Sequence, residues 1–129
     1  MSPQQQLANS KIALKRWMEV PRKNVSPGLM HWTDNTDKAP DCGTVACFGG
    51  WLAVMPEFVA MGVSRTRNGR PDGFGQANPA ALSVLLFGKS MFSMTSLEED
   101  DEAKGNTHKV VQNRLKKNIK RLEVEMRKL

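Results

Sequence analysis

His108, Val111, Leu115, Ile119, Leu122, Met126 and Leu129 recur at steps of three and four residues behind Thr107. That period places them on one side of an α-helix. With Thr107 as its cap, the pattern predicts a long amphipathic helix over 107–129. Such a seam has to be covered. Its first turns are expected to pack on the chain's own core, and the end around Met126 and Leu129 to pair with a second copy in a homodimer.

The other side of this helix is basic. Between Lys109 and Lys128 stand eight Lys or Arg against two acids, Glu123 and Glu125. Arg114, Lys116, Lys117, Lys120 and Arg121 form the cluster expected to touch a partner. That partner is either an acidic protein surface or the phosphates of a nucleic acid, whose binding would be salt dependent through counterion release. The plain alternative is a solvated face that serves only solubility. The cluster has no aromatic side chain for stacking bases, and no helix-turn-helix frame accompanies it, so sequence-specific readout has little support.

Upstream, Ser2 and Pro3 read as an N-cap and a first helical residue, and Leu7, Leu14, Trp17 and Met18 follow at helical spacing. They predict a helix over Pro3–Glu19, stopped before Pro21, with Lys11, Lys15 and Arg16 on its solvent face. Residues 22–41 hold Pro27, Gly28 and Pro40 and read as irregular, fastened to the core by Met30 and Trp32. A helix from Thr44 would gather Ala46, Cys47, Gly50 and Val54 on one side. Pro56 opens a second helix that buries Phe58, Val59 and Met61 and stops at Gly62. These two helices are expected to form a core hairpin packed between the first and last helices.

The stretch SRTRNGRPDGFGQAN, residues 64–78, has no helical period, and Asn68–Gly69 is a hairpin turn signal. It predicts a loop or a short β-hairpin. Arg65, Arg67 and Arg70 would offer three guanidinium groups able to fork onto phosphates or carboxylates. A solvated loop without a partner is the competing reading. Pro79–Phe87 is predicted as a short buried helix ending at Gly88, followed by an apolar turn with Met91, Phe92 and Met94. The acidic run Glu98–Glu102 is then a solvated linker or a partner of the basic helix.

At 129 residues the chain suits one domain. Nineteen Lys and Arg oppose thirteen Asp and Glu, a net charge of +6. Five of those acids fall in Glu98–Glu102, so the rest of the chain carries nineteen bases and eight acids. The apolar stretch Val45–Val63 is split by Pro56 and Glu57 into pieces of eleven and six residues, too short for a bilayer core about 30 Å thick. The N-terminal residues MSPQQQLANSK contain no apolar h-region, and two cysteines make no disulfide framework. A soluble protein of a reducing cytoplasm is expected.

Cys42 and Cys47 admit three readings. Zinc would need two further donors, and the histidines are His31 and His108 alone. A redox pair or a thiol activated at a helix start is conceivable, but no motif supplies the base that a nucleophile needs. The favoured reading makes Cys47 a small core residue and Cys42 a packing residue at the cap. No serine elbow, phosphate loop or HExxH pattern occurs, and tyrosine is absent. The expectation is therefore no enzyme, no metal and no cofactor.

The segment from His31 to Trp51, HW followed by DCGTVACFGGW, resembles a motif of small bacteriophage and prophage proteins of unassigned activity. Trp32, Cys42, Gly43, Thr44, Cys47, Gly50 and Trp51 carry the likeness, and Leu85–Gly88 and the final helix extend it over roughly residues 29–122. The arginine-rich insert and the acidic run depart from the pattern. The resemblance implies a phage accessory protein in the host cytoplasm. Combined with the charged features, it suggests an inhibitor-like protein binding a host component of a defence or nucleic-acid-processing system. A nucleic-acid-binding protein using the last helix is the alternative. The expected fold is a small, mainly α single domain over 1–129.

Overall fold

A computed structural model describes residues 1–25, 48–66, 70–76, 78–91 and 108–128. Helix α1 (Pro3–Trp17) starts where Ser2 Oγ accepts the Gln5 amide at 3.1 Å, with Pro3 supplying a helical φ at a position that needs no N–H. It ends two residues earlier than the sequence suggests. The amides of Glu19 and Val20 reach back only three residues, to the carbonyls of Arg16 and Trp17, and this tightened turn leads into Pro21. A single 3-10 turn follows at Arg22–Asn24.

Helix α2 (Phe48–Leu52) is buried along its whole length. The expected start at Thr44, with Ala46 and Cys47, lies outside the described residues. Helix α3 (Pro56–Met61) opens on proline and closes at Gly62, whose φ of 118° is open to glycine at little cost. Phe58 is fully buried and Met61 packs partly against the core, but Val59, expected inside, is 51% exposed. A six-residue helix turns only one side to the core, and Val59 sits about 100° round from Phe58.

Strands β1 (Ser64–Arg65) and β2 (Pro71–Asp72) pair antiparallel, Ser64 opposite Asp72 and Arg65 opposite Pro71. The turn residues Asn68 and Gly69 lie outside the described residues. At the foot of this hairpin a Cβ on Gly73 would stand 2.7 Å from the Gly62 carbonyl oxygen, so the two backbones can approach only because residue 73 has no side chain.

Helix α4 (Pro79–Phe87) begins as its sequence predicts. Asn78 Oδ1 accepts the Ala81 amide at 2.8 Å, Pro79 follows the cap, and Gly88 ends the helix in the left-handed region. Helix α5 (His108–Arg127) is the predicted long amphipathic helix, with Val111, Leu115 and Leu122 fully buried. Ile119 and Met126 are half-buried, and Leu129 lies outside the described residues.

The arrangement of helices differs from the expected one. α1 and α5 pack directly on each other instead of being separated by α2 and α3. Trp17 meets His108, Ser10 meets Asn118, and Leu7 shares a recess with Glu123 and Met126, so the two helices run antiparallel. Close approach is possible because the facing residues Ser10 and Ala13 are small, and both are fully buried. The core between these helices, α4 and the short central pair holds an aromatic cluster among aliphatic side chains. Trp17 meets Phe48 edge-on at 5.3 Å, and Phe87 lies 6.3 Å from Phe48 and 5.9 Å from Phe58. The result is a small, mainly helical domain with a two-stranded hairpin and a long C-terminal helix. No helix among the described residues is long and apolar enough to cross a membrane.

Candidate partner-binding surface

Helix α5 sorts its basic residues by position. Lys109, Lys116, Lys117, Lys120, Arg127 and Lys128 are all exposed. At about 100° per residue, Lys109, Lys116, Lys120 and Arg127 fall within about 40° of one line, spread over about 27 Å of helix. Lys117 and Lys128 stand together to one side of that line, about 90° round from it. An open groove of about 450 Å³ runs beside it, lined by Lys117, Lys120, Arg121, Val124, Glu125 and Lys128.

Two members of the predicted cluster do not belong to this stripe. Arg114 is turned inward and is 2% exposed, with Nη1 3.5 Å from the Met91 carbonyl oxygen. Arg121 is half-buried and bridges two helices. Its Nη2 donates to the Phe87 carbonyl at 3.2 Å, its Nε to Asn118 Oδ1 at 3.1 Å, and its Nη1 to Glu125 at 3.0 Å. A cation at the last carbonyls of α4 also suits the negative end of that helix. Lys116, Lys117 and Lys120 thus remain as the exposed core of the predicted contact set.

The hairpin arginines are less prominent than the sequence suggests. Arg65 and Arg70 are both half-buried, and Arg67 lies outside the described residues. The hairpin is held by Thr66, whose amide donates to the Arg70 carbonyl at 2.9 Å while its Oγ1 accepts the Arg70 amide at 3.1 Å. Phe74 occupies a left-handed conformation, φ 55°, between Gly73 and Gly75, and is 41% exposed.

Of the motif residues, Trp32, Cys42, Gly43, Thr44 and Cys47 lie outside the described residues, as does His31. Gly50 and Trp51 are buried in α2, and the Trp51 indole N–H donates to the Asn24 carbonyl at 3.0 Å. Among the described residues no three His, Cys, Asp or Glu side chains gather as metal ligands. A recess of about 380 Å³ beside Trp51 is bounded by Arg16, Glu19, Val20, Val54 and Met55. At its edge Arg16 grips Glu57 with two short bonds, Nε to Oε1 and Nη2 to Oε2, each 2.8 Å. These hydrogen bonds hold the Glu57 carboxyl below its ordinary range and raise Arg16 further above its own.

A polar cluster invisible to periodicity alone lies at the C-terminal end of α4. The last carbonyls of α4 are each met by a side chain from another helix. Gln6 Nε2 donates to Leu85 at 3.2 Å, Asn9 Nδ2 to Leu86 at 2.9 Å, and Asn118 Nδ2 to Phe87 at 3.0 Å. These groups are the ones a helix end leaves without partners. Asn118 also donates to Ser10 Oγ, which in turn donates to the Gln6 carbonyl. The one sequence signal for this role is that Asn118 falls between Leu115 and Leu122 in the register of the apolar seam.

Comparison with family models, with curated proteins and with solved structures finds no match.

Proposed function

We propose that this is a binding protein that engages an acidic macromolecule, foremost a protein, through the exposed basic side of α5. The observation that carries the reading is the segregation on that helix. Lys116, Lys117 and Lys120 project to solvent, while Arg114 and Arg121 are drawn into the fold. Lysines are compact charges on flexible stems. A stripe of them steers and orients an approaching partner more than it tightens the final complex. The motif resemblance supplies the setting: a phage or prophage accessory protein that modulates a host protein in the cytoplasm, without chemistry of its own.

The same ladder of charges suits a phosphate backbone, which makes nucleic acid the second reading. A tagged pull-down from bacterial lysate separates them, run with and without nuclease. The wild type is compared with a Lys116→Glu, Lys117→Glu, Lys120→Glu variant. The proposal expects a stoichiometric protein that survives nuclease and is lost with the variant. Identical capture by both proteins would overturn it, and loss of all captured material on nuclease treatment would favour nucleic acid.

A further inference from the structure

Residues i, i+3, i+4 and i+7 of a helix enclose a depression that receives a side chain from a neighbouring helix. Lys117, Lys120, Arg121 and Val124 enclose one such depression on α5, and Arg121, Val124, Glu125 and Lys128 enclose the next. The two share the Arg121–Val124 edge. Together they account for all six residues lining the groove of about 450 Å³. The surface recess on the basic side of α5 thus has the form of a seat for another helix.

Its chemistry narrows the occupant. Four of the six lining residues are cationic, and the single anion among them, Glu125, is already bonded to Arg121 at 3.0 Å. Val124 stands at the shared edge, 42% exposed, as an apolar centre within a basic rim. A second copy of α5 would set cation against cation. A phosphate backbone would make no use of the valine, and no aromatic residue lines the groove for a base to stack on.

We infer that the groove is the docking seat for an acidic amphipathic helix of the partner protein. Apolar side chains of that helix, three or four residues apart, fill the two depressions against Val124, and its Asp and Glu flank them to meet Lys117, Lys120 and Lys128. This inference rests on the basic side of α5 being the binding surface, and names what lies on it.

The test uses the full-length protein at low salt with three labelled probes, read by fluorescence anisotropy. The first is a helical Ala/Leu/Glu peptide of about 22 residues with leucine at helical spacing. The second has the same composition with that spacing scrambled, and the third is a DNA duplex of about 20 base pairs. The seat predicts that the amphipathic peptide binds about tenfold more tightly than the scrambled one. It also predicts that Val124→Lys weakens the amphipathic peptide although it adds a positive charge. Circular dichroism verifies that this exposed substitution leaves the helix content intact. Equal binding of the two peptides, or tighter binding by Val124→Lys, overturns the helix seat while leaving the basic surface in place. Duplex binding tighter than either peptide overturns it in favour of nucleic acid. Failure of all three probes removes the basic surface as a binding site, and the seat with it.

Discussion

Trp17 and His108 exchange hydrogen bonds in both directions. The Trp17 indole N–H donates to the His108 carbonyl at 2.9 Å, and His108 Nε2 donates to the Trp17 carbonyl at 2.9 Å, with the two rings stacked 5.0 Å apart at 16°. A carbonyl oxygen only accepts, so this contact assigns the proton to Nε2. The pair locks the C-terminal end of α1 to the first residue of α5. Trp17→Phe keeps an aromatic ring but removes the indole N–H that crosses to α5 and leaves a void in the core, at a cost of about 2 kcal/mol. His108→Ala removes the stack and one of the two bonds to the Trp17 carbonyl, which keeps the Val20 amide, at a cost of about 2 kcal/mol. Urea unfolding of both single variants and the double variant should show strong coupling, and additive costs would contradict the reciprocal bond.

The C-terminal end of α4 is the second point of leverage. Asn118→Asp would place a carboxylate beside the Phe87 carbonyl at the negative end of a helix, replacing a donor by an acceptor. It should destabilise by about 3 kcal/mol, more than Asn118→Ala at about 2 kcal/mol. Arg121→Ala should cost about 1 kcal/mol, since Phe87 keeps its bond from Asn118. An Asn118→Asp variant as stable as wild type in urea would show that the carbonyl does not need this donor.

Glycines at the foot of the hairpin should rank by what surrounds them. Gly73→Ala forces a Cβ to 2.7 Å from backbone oxygen, whereas a Cβ at Gly75 meets nothing within 4 Å. Both positions have positive φ, so Gly75→Ala costs only the conformational strain, about 1 kcal/mol, and Gly73→Ala about 3 kcal/mol. Melting temperatures of the two variants in the same buffer test the order.

Glu57 has a folded-state pKa below its ordinary value because Arg16 hydrogen-bonds its charged form. A depressed carboxylate stabilises the fold above the ordinary carboxylate range and loses that contribution as pH falls through the lowered value. The wild type should therefore melt slightly above Glu57→Gln from neutral pH down to about pH 5, and the gap should close below about pH 4. The side chains are about one-third exposed, 34% each, so the gap is small and should shrink with added salt. A gap that stays constant across the whole range would mean that ionisation of Glu57 contributes nothing to stability.

Local punctuation was readable before the fold was known. Ser2, Pro3, Pro56, Gly62, Pro79 and Gly88 act within a turn of their own position in the chain, and each stands at a predicted helix end. The seam of α5 was readable because Val111, Leu115 and Leu122 need only a helical period. What periodicity could not show is which polar residues face inward. Arg114, Asn9 and Asn118 carry polar side chains, and the carbonyls they approach lie 23, 77 and 31 residues away in the chain. The same long-range contacts split the predicted basic cluster, taking Arg114 and Arg121 into the fold and leaving Lys116, Lys117 and Lys120 outside. The direct packing of α1 on α5 was hidden for the related reason that Ser10 and Ala13 show their value only once a partner helix is known.

The antiparallel pairing of α1 with α5 joins the first element of the chain to the last, closing a loop of 91 residues between Trp17 and His108. Closing so large a loop has to be paid in entropy before its contacts reward it, which slows folding. During synthesis α1 is made well before its cover, so Leu7, Ala13 and Trp17 stay without their helix partner until the 91 residues that separate Trp17 from His108 have been added. A nascent chain of this protein is therefore most prone to self-association just before its C-terminal helix emerges, and truncation within that helix should yield aggregate instead of a smaller folded domain.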